Sequence, residues 1–124
     1  MTDQIKLLVV EDEDSLRTLL KSELETYGFA VDDADGGSSA MKSLNSTHYD
    51  VVILDEINYA LSYAFLPVED VVDFLKKKPP MLHVILTGRD AKPEIVAIAD
   101  LVTEMREIKH PFQQGISAQK GIEF

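Results

Sequence analysis

The chain has 124 residues, 45% of them apolar and 27% charged, which suits one globular domain with a core of its own and leaves too little chain for two. Its net charge of −10 excludes the basic surface that nucleic-acid phosphates require, and no apolar run reaches the roughly 20 residues that span a bilayer. The absence of cysteine excludes disulfides and thiolate metal sites. Together with an MTDQIK start that lacks the basic and long apolar parts of a signal peptide, it points to a reducing cytoplasm.

In chain order, the apolar run Ile5 to Val10 predicts a strand buried on both faces of a parallel sheet. Leu16, Leu19, Leu20, Leu24 and Tyr27 fall on one face of a helix from Ser15 to Tyr27, with Gly28 as its stop. A second strand is expected over Ala30 to Asp33, a turn at Gly36 and Gly37, a short helix over Ser38 to Leu44, and a third strand over Val51 to Leu54. Beyond it, Pro67 suits a first helical position, and Val68, Val71, Val72 and Leu75 make an apolar stripe that ends before Pro79 and Pro80. Lys76, Lys77 and Lys78 stand where that helix ends, as cations that complement its dipole. Leu82 to Thr87 predicts a fourth strand, Pro93 opens another helix with Ile95, Val96 and Ile98, and Leu101 to Ile108 predicts a fifth strand. The tail from His110 reads as a loop or a short strand that packs Phe112, Ile116, Ile122 and Phe124. Strands alternating with helices predict a single three-layer α/β/α domain over residues 1–124 with a five-stranded, mainly parallel sheet.

In such a sheet, ligands bind outside the carboxyl ends of the strands. The first strand ends in Glu11 and Asp12, the third in Asp55 and Glu56, the fourth in Thr87 and Gly88, and the fifth in Lys109. Carboxylates gathered at one edge raise one another's pKa unless a cation joins them, and a hard, oxygen-seeking ion such as Mg²⁺ is the natural partner. Charge is also uneven along the chain: residues 1–54 carry 4 basic and 11 acidic side chains, residues 55–124 carry 8 and 11. That asymmetry disfavours nucleic acid as a partner, whose phosphates need a basic surface.

The strings KLLVVEDEDSLRTLL, YGFAVDDADGGSSAM and YDVVILD resemble the opening strand, acidic pair, second strand and phosphoacceptor strand of response-regulator receiver domains, a flavodoxin-like family. The resemblance implies strand order 2-1-3, Asp55 as phosphoacceptor, Mg²⁺ held by Glu11, Asp12 and Asp55, and phosphoryl contacts from Thr87 and Lys109. The pattern departs from that family after Asp55, where EINYALSYAFLP is longer and more apolar than the family's loop. From about residue 55 the strings LDEINYALSY, LPVEDVVDFL, KKPPMLHVILTGRD, EIVAIADLVTEMREIKHPF and GISAQKGIEF resemble corrinoid adenosyltransferases, which have a P-loop fold. This second resemblance implies that Asp55 and Glu56 lie near Mg²⁺ and nucleotide. The phosphate-cradling GxxxxGK[ST] motif of that family does not occur in the chain.

Two halves joined within residues 49–56 imply an engineered chimeric scaffold with no physiological activity, no enzyme function and no physiological partner. The alternatives are a receiver-type module phosphorylated on Asp55 with Mg²⁺, and residual nucleotide or corrinoid binding by the second half. Simpler structural roles are open for several of these residues. Asp12 and Asp14 suit caps of the first helix, Thr87 a hydrogen bond within its own turn, Lys109 a surface charge, and Arg89 with Asp90 a turn and helix cap. His48, His83 and His110 lack zinc spacing. The apolar stretch containing Ile57, Tyr59, Tyr63 and Phe65 reads as core or, if left exposed, as a homodimer patch over 57–66.

Overall fold

A computed structural model describes residues 4–63 and 66–109. The elements in order are β1 (Lys6–Val10), α1 (Asp14–Thr26), β2 (Ala30–Ala34), α2 (Gly37–Ser46), β3 (Val51–Leu54), α3 (Ile57–Ser62), α4 (Val68–Lys77), β4 (His83–Leu86) and α5 (Pro93–Ile98). The strands form one parallel sheet in the order β2-β1-β3-β4, so the first three dock as expected.

The central strand β1 explains the layering. Successive side chains point to opposite faces, and both faces of β1 are buried. Leu7 and Val9, with Val31, pack beneath Leu20 and Leu24 of α1. Leu8, with Ala34, Val52 and Leu82, packs beneath Ala40 and Leu44 of α2 on the other side. A further cluster joins Leu61 of α3, Val71 of α4 and Ile95 of α5, with Leu86 of β4 packed against it.

Local sequence sets the helix ends. Glu13 caps α1, its carboxylate accepting from the amides of Ser15 and Leu16 at 3.2 and 2.8 Å, so neither Asp12 nor Asp14 supplies the expected cap. Asp14 instead pairs with Arg17 at 2.6 Å. Pro67 is the N-cap of α4 rather than its first helical residue, and the acidic first turn (Glu69, Asp70) and basic last turn (Lys76, Lys77) both favour the helix dipole. Within the insertion after Asp55, Ile57–Ser62 form α3, a conformation that its composition left open, and Phe65 lies outside the described residues.

The described residues contain four strands, not five. Residues 101–109 lie in no strand and are exposed throughout, with Leu101 83% and Met105 95% exposed. A strand within a parallel sheet is buried on both faces and reads as a nearly unbroken apolar run, as KLLVV, VVIL and HVIL do. LVTEMREI interrupts its apolar residues with Glu104, Arg106 and Glu107, and burying those charges against β4 costs more than the apolar contacts return. The tail expected to pack Phe112, Ile116, Ile122 and Phe124 lies outside the described residues. Among the described residues no helix is long and apolar enough to cross a membrane.

Candidate functional site at the carboxyl ends of the strands

Register builds the site. Val10 lies opposite Leu54, and Leu54 opposite Leu86. Each strand therefore delivers its next residue, Glu11, Asp55 and Thr87, to one row. The ladder extends into that row: the Asp55 amide donates to Val10 at 3.1 Å, the Thr87 amide to Leu54 at 3.2 Å, and the Glu11 amide to Ala34 at 3.0 Å.

Within the row, the Thr87 hydroxyl accepts from the Glu56 amide at 2.8 Å and donates to Asp55 Oδ1 at 2.9 Å. The amide can only donate, which commits the hydroxyl proton to the carboxylate. Thr87 is thus more than a residue bonded to its own turn. Glu11 is 5% exposed, and its carboxyl is pushed above the usual carboxylate range, first by burial and then by the Asp55 and Asp12 carboxylates. Asp12 itself is exposed.

That shift fixes the sign of a pH dependence. A carboxyl that holds its proton more tightly when folded contributes most below its ordinary pKa, and the contribution is lost as pH rises through the raised value. Glu11→Gln is therefore expected to melt above the parent near neutral pH and to match it near pH 4, measured by thermal denaturation across that range.

Lys109 does not join the row. It lies beyond the last element, exposed, with no ion pair to Asp55 among the described residues, because the strand expected to deliver it does not form. Nor, among the described residues, does any group of three or more carboxylate, imidazole or thiol side chains gather closely enough to hold a metal ion, so the expected set of Glu11, Asp12 and Asp55 is not a closed three-carboxylate cage. Glu56 is exposed, as a neighbour of the row. Asp90 forms part of a turn with φ +56° but does not cap α5, whose N-cap is Lys92.

Sequence reasoning passed over several contributors. Arg17 reaches back from α1, donating to the Glu11 carbonyl at 2.9 Å and pairing with Asp33 at 3.3 Å, which sets a cation behind the acidic edge. Its place one helical turn inside an acidic segment was the available signal. Asn58 is buried and donates through its side-chain amide to the Gly88 carbonyl at 3.0 Å. Glu56 adopts a left-handed conformation at φ +58°, ψ +25°, a rare one for a side chain with a Cβ. Glu56→Gly is expected to stabilise the fold by about 0.5–1 kcal/mol, read as a higher urea midpoint. A groove of about 680 Å³ lined by residues including Met41, Leu44, Phe74 and Met81 lies at the opposite, amino-terminal strand edge and shares no residue with the row.

The family model for ATP:corrinoid adenosyltransferase BtuR/CobO/CobP matches residues 23–124. The chain belongs to that family. A corrinoid adenosyltransferase of Sinorhizobium sp. is 60% identical over 75 residues, covering 60% of this chain and 35% of that protein. The chain spans about a third of the length of this curated relative. The transcriptional regulatory protein ResD of Bacillus subtilis (strain 168) is 30% identical over 95 residues, covering 73% of this chain and 36% of that protein. In structure, the response regulator TrrA of Thermotoga maritima, in complex with Mg²⁺ and BeF, superposes with a TM-score of 0.59 at 28% identity, covering 90% of this chain and 96% of that one.

This member of the adenosyltransferase family therefore combines receiver-like and adenosyltransferase-like parts, with a receiver-like fold. The expectation that the chain is no enzyme is corrected by the same findings: its family, and several of the relatives that match it, are named as corrinoid adenosyltransferases, which are enzymes. Nothing in these likenesses supports an engineered scaffold.

Proposed function

We propose that the row Glu11, Asp55 and Thr87 is a phosphoacceptor site, with Asp55 as nucleophile. The observation that carries this reading is the hydrogen bond from the Thr87 hydroxyl to Asp55 Oδ1 at 2.9 Å, beside a buried Glu11. An Asp55 carboxylate oxygen attacks the phosphorus of a small phosphodonor such as acetyl phosphate, the bond to the acetyl oxygen breaks, and acetate leaves. Thr87 fixes the carboxylate's orientation, and positioning of this kind supplies much of the rate in phosphoryl transfer.

The donor set suits Mg²⁺. Glu11 carries a charge that burial and two neighbouring carboxylates disfavour, and a divalent cation offsets that cost. Mg²⁺ retains several waters and needs only one or two protein carboxylates, so the lack of a three-carboxylate cage is no obstacle. Glu11 and Asp55, with Asp12 at the rim, would hold it, and it would supply charge neutralisation for the transferring phosphoryl group. Incubation with acetyl phosphate, with and without Mg²⁺, followed by intact-mass measurement tests the reading: a Mg²⁺-dependent phosphoryl adduct is expected, and folded protein that never gains one rules the site out.

The family match favours a second reading, in which the part from Asp55 onward binds nucleotide or corrinoid. Titration with ATP and with a corrinoid, followed by calorimetry and absorbance, is expected to give Mg²⁺-dependent heat or a spectral shift; flat responses in both remove it. The exposed rings of Tyr59 and Tyr63, with centroids 4.7 Å apart, support a homodimer contact through 57–66, read by sedimentation. The cytoplasm is the proposed setting, in keeping with the absence of cysteine.

A further inference from the structure

We propose that Asn58 is the positioning residue of this site, clamping the Thr87–Gly88 turn onto the start of α3 so that the Thr87 hydroxyl stays on Asp55; the proposal rests on the phosphoacceptor reading. Asn58 binds the turn twice. Its backbone amide donates to the Thr87 carbonyl at 3.3 Å, and its side-chain amide donates to the Gly88 carbonyl at 3.0 Å. Thr87 in turn bonds the Glu56 amide and Asp55. Asn58, Thr87 and the Asp55–Glu56 peptide thus form a closed loop of hydrogen bonds, in which the turn cannot lift from α3 without Thr87 leaving the carboxylate.

The cost that Asn58 carries argues against a purely structural role. Its Oδ1 is a buried side-chain oxygen without a hydrogen-bond partner among the described residues. An orphaned buried carbonyl loses its hydration without replacement, so an apolar side chain of the same size would stabilise the fold better at that atom. Rotating the amide by half a turn would set its oxygen against the Gly88 carbonyl and break the clamp, so the orphan follows from the bond to Gly88. Glycine at 88 allows the close approach: a Cβ there would lie 3.0 Å from the Asn58 Cβ.

The test compares the full chain with Asn58→Leu, Thr87→Ala and the double variant. The readouts are the initial rate of adduct formation from acetyl phosphate at saturating Mg²⁺, the melting temperature, and hydrogen-exchange protection of the Glu56 amide. Asn58→Leu is expected to slow the rate by about tenfold to a hundredfold and to expose the Glu56 amide as Thr87→Ala does, while the melting temperature holds or rises. In the Thr87→Ala background it should add no further loss, because the two act through one contact. An unchanged rate and a protected Glu56 amide overturn the proposal, as does a rate loss that adds in full to that of Thr87→Ala. Should the leucine variant not fold, Asn58→Ala carries the same comparison. A folded parent that takes no phosphoryl group overturns the phosphoacceptor reading itself, and Glu56 amide exchange then decides the clamp on its own.

Discussion

Asp55→Asn is expected to lose the phosphoryl adduct entirely, a fall of at least about a hundredfold against the parent, while remaining folded. Asparagine matches aspartate in size, and its side-chain oxygen still accepts from the Thr87 hydroxyl, so the contact made in the row at 2.9 Å survives in the variant. What goes is the nucleophile, since a neutral amide does not attack phosphorus at a useful rate. The substitution also removes the Asp55 charge, the second cause of the raised Glu11 pKa. The variant should therefore melt at or slightly above the parent temperature at neutral pH. Intact mass and thermal denaturation on the same samples separate the two effects. An adduct that persists in Asp55→Asn would move the chemistry to another residue.

The second large effect is expected at Gly88. Its φ of +121° lies where side-chain-bearing residues rarely go, and a Cβ would meet the Asn58 Cβ at 3.0 Å and the Asn58 backbone nitrogen at 3.4 Å. Strain and overpacking act together, so Gly88→Ala should cost roughly 2–3 kcal/mol and lower the melting temperature by roughly 8–12 °C. Relief requires the Thr87–Gly88 turn to move off α3, which also takes Thr87 from Asp55. Stability and adduct formation should fall together, in contrast to Asp55→Asn. Gly37→Ala is the control: nothing lies within 4 Å of a Cβ there, the residue is helical, and the melting temperature should hold or rise slightly.

Much of the fold was legible because it rests on local patterns. KLLVV and VVIL are apolar without interruption, and that alone marks strands buried on both faces. The stripe Val68, Val71, Val72 and Leu75 marked α4 within a residue of its observed start, because helical spacing and a flanking proline act over one or two turns. Segments whose outcome depended on competition between neighbours were read less well. Asp12, Glu13 and Asp14 all offer a carboxylate to the free amides of α1, and which one caps depends on where the first turn begins. LVTEMREI has enough β-branched and apolar residues to suggest a strand, yet it carries three charges, lies in no strand and is exposed.

The sequence by itself determined which residue types stand at the strand ends, since an acidic pair, an aspartate and a threonine each follow an apolar run. It also determined, through the two sets of matching strings, that two kinds of chain meet here. Tertiary structure alone decided which of those residues meet. Parallel register aligns Glu11, Asp55 and Thr87 in one row, an alignment that hydrogen bonds between distant segments fix and no local pattern encodes. The same pairing leaves Lys109 outside, because a residue joins the row only if the strand before it joins the sheet. Asn58 came into view for a like reason: its role lies in bonds to a turn some thirty residues away.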